Sequence, residues 1–219
     1  MNAKLKQIHD YMMAEMGMGE KEVDELDRHS VYLAMEICSY AHRGQKRENG
    51  ENYSNHPFRV LENYRRLVGI KPDDPFCLDK ELLETHHIPF EGVQEVCLLH
   101  DVIEDSELTI DDIKDIYGEC GFGVHFRLYM QDALRRITHD KAVSYQAYIA
   151  ICLGNPTSAL VKLLDLEDNL RVAEMAEYGE SRYRRAKSYL DYTYIINDAF
   201  HFVENAAAYR KAFKEGDGA

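Results

Sequence analysis

The sequence predicts an all-α helical bundle, and three observations carry that prediction. Apolar residues recur three and four positions apart through most of the chain, which places them on one face of a helix. The strict alternation of a half-buried strand is nearly absent. Ser, Thr or Asn ahead of apolar runs, with Gly behind them, punctuate the pattern as helix starts and stops.

In chain order, Met1 to Asp10 is polar and mixed in charge, without the apolar stretch of a secretory signal. Val31, Leu33, Ala34, Ile37, Cys38 and Ala41 make a helical stripe that ends where Gly44 interrupts. Pro57 to Val68 predicts a helix with proline at its first position and Val60, Leu61, Tyr64 and Leu67 on one side. Gly69 to Phe90, with Pro72, Pro75 and Pro89, reads as irregular. Val93 to Glu104 predicts a buried helix. Thr109 reads as an N-cap, with Asp112 three residues on and Gly118 as the stop. Gly118 to Val124 is a glycine-rich connector. Ser144 to Cys152 predicts an amphipathic helix, and Asn155-Pro156 supplies cap and first-turn proline for another through Leu170. Ser181 to Phe213 mixes charges with aromatic residues at helical spacing, among them Tyr183, Tyr189, Tyr192, Tyr194, Phe200 and Phe202. That tail fits a dimer surface or packing against the bundle.

A length of 219 residues suits one domain with a substantial core. The reading is a single domain over 1–219, with its motif core at about 30–175 and a helical extension over 176–219. At 45% hydrophobic and 30% charged residues, the composition is that of a soluble globular protein. No apolar run approaches roughly 18 residues, so no membrane span is expected. A net charge of −13 argues against a general nucleic-acid binder, but a local basic pocket can still take a phosphorylated small molecule. The five cysteines are scattered, without a CxxC pair. Cys38, Cys97 and Cys152 sit in apolar patterns as small hydrophobes. A reducing, cytoplasmic location is the expectation.

The chemistry concentrates in Leu99-His100-Asp101-Val102-Ile103-Glu104-Asp105. An adjacent imidazole and carboxylate can share one divalent ion. If the segment is helical, Glu104 and Asp105 follow four residues later on the same face. Asp165 lies in the apolar run Ala159 to Leu166, where an uncompensated carboxylate is costly. It calls for a cation there: a metal, or the ammonium or guanidinium of a Lys or Arg. Mixed imidazole and carboxylate ligands suit Mn, Fe, Zn or Co better than Ca.

Ala41-His42-Arg43-Gly44-Gln45-Lys46-Arg47 through Glu51, Tyr53, His56 and Pro57, then Leu99 to Asp105, then Lys162-Leu163-Leu164-Asp165 with Asn169, occur in that order. The three blocks resemble the HD-domain hydrolases of the RelA/SpoT family, including its small alarmone hydrolases. The resemblance implies an HD-domain helical bundle and a divalent metal, Mn²⁺ first, held by His56, His100, Asp101 and Asp165. It implies that Glu104 and Asp105 activate and orient the attacking water. It places Arg47 on the guanine base and Asn169 near the ribose, with Asn49 and Tyr53 at further motif positions; packing is the other reading of Tyr53. Lys162 and Arg171 are the nearest cations for phosphate, with surface placement the other reading of each.

The implied activity is hydrolysis of guanosine tetra- or pentaphosphate to GDP or GTP and pyrophosphate. Other readings are another nucleotide as substrate and a non-catalytic nucleotide sensor. The implied partner is a small phosphorylated nucleotide; nucleic acid and membrane are not expected, and an oligomer is open.

Two departures fall on the substrate side. Glu48-Asn49 stands where the family often has Lys-Ser, and Val172 stands where it has threonine. Glu48 either repels phosphate or points to solvent. The separation of His56 from His100 exceeds the family's, which marks 69–90 as an insertion. The second His-Asp pair, His139-Asp140, lacks a following acidic pair and reads as structural or as a lip of the pocket. His86-His87 reads as surface.

Overall fold

The structure, a computed structural model, describes residues 2–70, 78–174 and 180–216, without the side chains of 172–174, 180–183 and 215–216. Among the described residues there is no strand, only one isolated bridge between Lys46 and Asn52. The helices are α1 (Ala3–Glu15), α2 (Glu20–Leu26), α3 (Ser30–Ala41), α4 (Asn55–Val68), α5 (Lys80–Thr85), α6 (Val93–Leu99) and α7 (Val102–Asp105). They continue as α8 (Ile110–Glu119), the short turn α9 (Gly123–His125), a π-helical turn (Phe126–Met130), α10 (Gln131–Ile137), α11 (Tyr145–Cys152), α12 (Pro156–Glu174), α13 (Glu180–Phe200) and α14 (Phe202–Gly216).

At the centre lies α6, whose residues are all buried. Apart from Gln94 and Glu95 its side chains are apolar, and a helix so nearly apolar all round is enclosed on every side. Here α3, α4 and α12 surround it, with α10 and the π-helical turn completing the shell. The turn comes very close: a Cβ at Gly92, the N-cap of α6, would stand 3.0 Å from the Tyr129 carbonyl. Gly92 also has φ +74°, so the position suits glycine on both counts.

Several caps form as predicted. Thr109 and Asp112 make a reciprocal capping box on α8. The Asn155 side chain accepts from the N–H groups of Thr157 and Ser158 at 2.9 and 3.1 Å. Other expectations need correction. Asn55 rather than Pro57 opens α4, because Ser54 and its neighbours already turn helically. Gly118 lies inside α8; the left-handed residue that ends it is Gly121, at φ +86°. The presumed irregular stretch 69–90 contains α5, capped by Asp79; Pro72 and Pro75 lie outside the described residues. The segment 93–104 is two helices, α6 and α7, with His100 and Asp101 at the break. The first two helices, absent from the sequence reading, bury Leu5, Ile8, Met12 and Val23.

In the tail, α13 packs along α12, and α14 returns to α4 and α5, burying Phe202 and Tyr209. Arg210 donates to the Leu67 carbonyl near the end of α4. The aromatic residues therefore serve the core in α14, while Tyr194 on α13 is exposed.

Candidate metal centre

His56 sits in the first turn of α4, His100 and Asp101 at the α6–α7 break, and Asp165 mid-way along α12. Their tips converge. His56 Nε2 is 3.3 Å from His100 Nε2, 3.5 Å from Asp101 Oδ2 and 3.0 Å from Asp165 Oδ1. His100 Nε2 is 3.3 Å from Asp101 Oδ2 and 3.8 Å from Asp165 Oδ1. Ligands about 2.1 Å from one small ion have neighbours separated by about 3–3.5 Å; His56, His100 and Asp101 form a group of about that spacing, and Asp165 joins it through His56.

The hydrogen bonds fix the ring tautomers. His56 Nδ1 is 2.7 Å from the Asp168 carboxylate, and His100 Nδ1 is 2.8 Å from the Cys97 carbonyl. Both partners accept only, so each Nδ1 carries its proton and each Nε2 is turned to the shared point. Two imidazole nitrogens facing each other beside two carboxylates need a cation between them. Without one, a proton takes the place. Burial opposes an imidazolium at His56, but the Asp165 and Asp168 carboxylates overrule it and lift the ring to about 9. Against the penalty of burial, His100 and then His56 hold Asp101 below the usual carboxylate range, and the Lys162 ammonium and then His56 do the same for Asp165.

Asp165 divides its two oxygens between different partners. Oδ1 faces His56 and accepts from Asn169 Nδ2 at 2.6 Å, while Oδ2 takes the Lys162 ammonium at 2.7 Å. Lys162 is itself buried against Tyr145 and Tyr148. Its charge is spent inside the protein, neither on the surface nor toward a phosphate. Arg171 is exposed.

The flanking groups are as follows. Tyr53 Oη lies 2.9 Å from Asp101 Oδ2 and 2.8 Å from Asp105 Oδ2, linking Asp101 to the acidic pair although α7 is a separate helix. Glu104 accepts from the His139 N–H at 3.2 Å, and burial raises its carboxyl. His139 packs at a tilt against Tyr148, with ring centroids 4.5 Å apart, and its Nε2 meets the Val143 carbonyl at 3.1 Å. Arg47 donates to Asn169 Oδ1 at 2.6 Å and to Asp168 at 3.3 Å, with the Tyr53 ring 5.9 Å from its guanidinium. Asn49 lies apart from these groups, on an exposed turn where it accepts from the Glu51 N–H. Glu48 is exposed and 3.5 Å from Arg185, which offsets its charge. The Val172 side chain lies outside the described residues. His87 is exposed and His86 half-buried, away from the convergence.

Two residues absent from the sequence reading complete the site. Asp168 is buried and takes His56, Arg47 and both Nε and Nη2 of Arg59. Arg59 spans from Asp168 to Glu51, which it grips with two nitrogens. Asp168 was reachable as the residue three after Asp165, on nearly the same helical face; Arg59 carries no local signal.

No protein-family model matches the chain. It is 25% identical over 146 residues to the guanosine-3′,5′-bis(diphosphate) 3′-pyrophosphohydrolase MESH1 of Drosophila melanogaster, a match covering 63% of this chain and 65% of that one. The mouse MESH1 match is 26% identical, over 63% and 66%. A pyrophosphohydrolase of the same description from Haemophilus influenzae matches at 28% identity over 62% of this chain but 17% of its own length. The chain thus spans about two thirds of the metazoan relatives and a small part of the bacterial one. A solved structure of a metazoan orthologue of SpoT, reported to hydrolyse ppGpp and to act in starvation responses, superposes with a TM-score of 0.51 at 20% identity, over 84% of this chain and 94% of that one. No helix among the described residues is long and apolar enough to cross a membrane. By sequence the chain is similar to the ppGpp pyrophosphohydrolases, and it has the all-α HD-domain fold of the metazoan SpoT orthologue.

Proposed function

We propose that the chain is a metal-dependent phosphohydrolase that removes the 3′-diphosphate of guanosine tetra- or pentaphosphate. One observation carries the reading: His56, His100, Asp101 and Asp165 converge from three parts of the bundle, setting two facing imidazole nitrogens beside two carboxylates, an arrangement that a divalent cation would satisfy. The ordered motif blocks and the similarity to the pyrophosphohydrolases support the substrate. Residues 30–175 supply the chemistry, and 176–219 extend the same unit.

These four residues would hold Mn²⁺, with Fe, Co or Zn as the other ions the donors suit. When bound, the ion acidifies water and neutralises phosphate charge. The protein's own groups do the rest. Glu104, raised by burial, is a better proton acceptor near neutral pH than an exposed glutamate. Asp105, anchored by Tyr53, orients the water. Arg47 is fixed by Asn169 and Asp168, so its planar guanidinium is set for stacking on a base. Glu48, offset by Arg185, is compatible with a polyphosphate close by.

The test is turnover of guanosine tetraphosphate by the purified protein with Mn²⁺, with products separated by anion exchange. GDP and pyrophosphate are the expected products. No turnover by metal-loaded protein would overturn the substrate and direct the search to other nucleotides.

A further inference from the structure

A second convergence of ligating side chains lies among the first three helices, which carry none of the four residues described above. It consists of His9 on α1, Asp27 at the C-cap of α2 and Glu36 on α3. One donor atom from each falls within 4.8 Å of the others. Glu36 is fully buried, yet neither of its carboxylate oxygens has a hydrogen-bond partner. Asp27 Oδ1 is also unpartnered. His9 Nε2 stands 3.0 Å from Asp27 Oδ2 without the alignment of a hydrogen bond.

A buried carboxylate with both oxygens unsatisfied is among the costliest arrangements a fold can keep. A shared cation removes that cost for all three side chains at once. We propose that His9, Asp27 and Glu36 form a second, structural site for a divalent metal, with zinc among the ions the donors fit.

One imidazole and two carboxylates are within the zinc repertoire, at ligand distances of about 2.0–2.2 Å. Cys120, at the C-cap of α8, lies within reach of the same charges. Burial first, and then Asp27, Glu119 and Glu36 in that order, push its thiol up to about 12. In the absence of a cation, Glu36 has to keep its proton, and burial with the Asp27 charge raises it to about 8. An ion here would pin α1 and α2 to α3, and α3 packs directly on α6.

The experiment compares zinc uptake by chelator-stripped, full-length protein, as wild type and as Glu36→Gln, using elemental analysis. The glutamine keeps the shape and removes the charge, so the fold should survive, with circular dichroism as the check. The expected result is one zinc equivalent fewer per chain in Glu36→Gln, together with loss of part of the zinc-dependent rise in Tm. His9→Gln should lose the same equivalent, which covers the case in which Glu36→Gln fails to fold. Equal uptake by the wild type and a folded variant would overturn the proposal. Comparing uptake between variants separates this site from the His56 centre, because neither substitution touches that centre.

Discussion

Asp168 holds His56, Arg47 and Arg59 in one arrangement from a position almost without solvent contact. Removing it releases the His56 ring and leaves two guanidinium groups without their buried partner. Asp168→Ala should therefore weaken metal binding about 10- to 100-fold, as read by competition with a calibrated chelator; unchanged affinity would reduce Asp168 to a packing residue. Glu104 gives the complementary prediction. Glu104→Gln should keep the metal and lower kcat about 10²- to 10⁴-fold, whereas an unchanged rate would reassign proton handling. At this scale the sequence was informative where chemistry and motif coincide, as at His56, His100, Asp101 and Asp165. It was silent where a partner is remote. Nothing near Arg59 announces Asp168, and nothing near Lys162 says whether its ammonium turns outward or onto Asp165 three residues away.

The helices legible in the sequence were those with a one-sided stripe and a polar cap. Ser144 and Asn155 cap α11 and α12 as their residue types suggest. Periodicity could not reveal the break between α6 and α7, because the apolar run continues through Val102 and Ile103. The break matters for geometry: it gives Asp105 its link to Asp101 through Tyr53 instead of through helical spacing. Upstream, α6 depends on Gly92. Gly92→Ala would bring a Cβ to 3.0 Å from Tyr129 and Met130 at φ +74°. Left-handed backbone alone costs a non-glycine residue about 1–2 kcal/mol, so urea denaturation should show a loss of at least about that size. A neutral outcome would mean that the π-helical turn yields. The α1 stripe of Leu5, Ile8 and Met12 has helical spacing, but it lies in a polar segment whose contrast is weak.

Across the whole molecule, the bundle is joined by polar contacts between distant elements as well as by its core. Glu95 in α6 accepts from Ser30 at the start of α3 and from His125 in α9, at 3.1 Å for the imidazole. The Glu95 hydrogen bond raises His125 above its usual value, against partial burial. A raised folded-state pKa means that the folded form binds the proton more tightly. That stabilisation is complete below about pH 6.5 and is lost as pH rises through the folded value. Denaturation at pH 6 and pH 8 should therefore show a larger loss for the wild type than for His125→Gln. Parallel losses would remove the linkage.

The setting of Lys162 also has a consequence for covalent chemistry. Acylation of an amine requires a free lone pair and room for the reagent. The Asp165 contact holds the ammonium protonated, and the Tyr145 and Tyr148 rings close in at 5.6 and 5.0 Å. Native-state labelling with an activated ester should therefore spare Lys162 while marking exposed lysines such as Lys114. Peptide mass mapping would then turn Lys162 into an internal gauge, unmodified while α11 and α12 stay closed and modified once they part. Labelling of both lysines at the same rate in folded protein would show that the tyrosine enclosure opens readily.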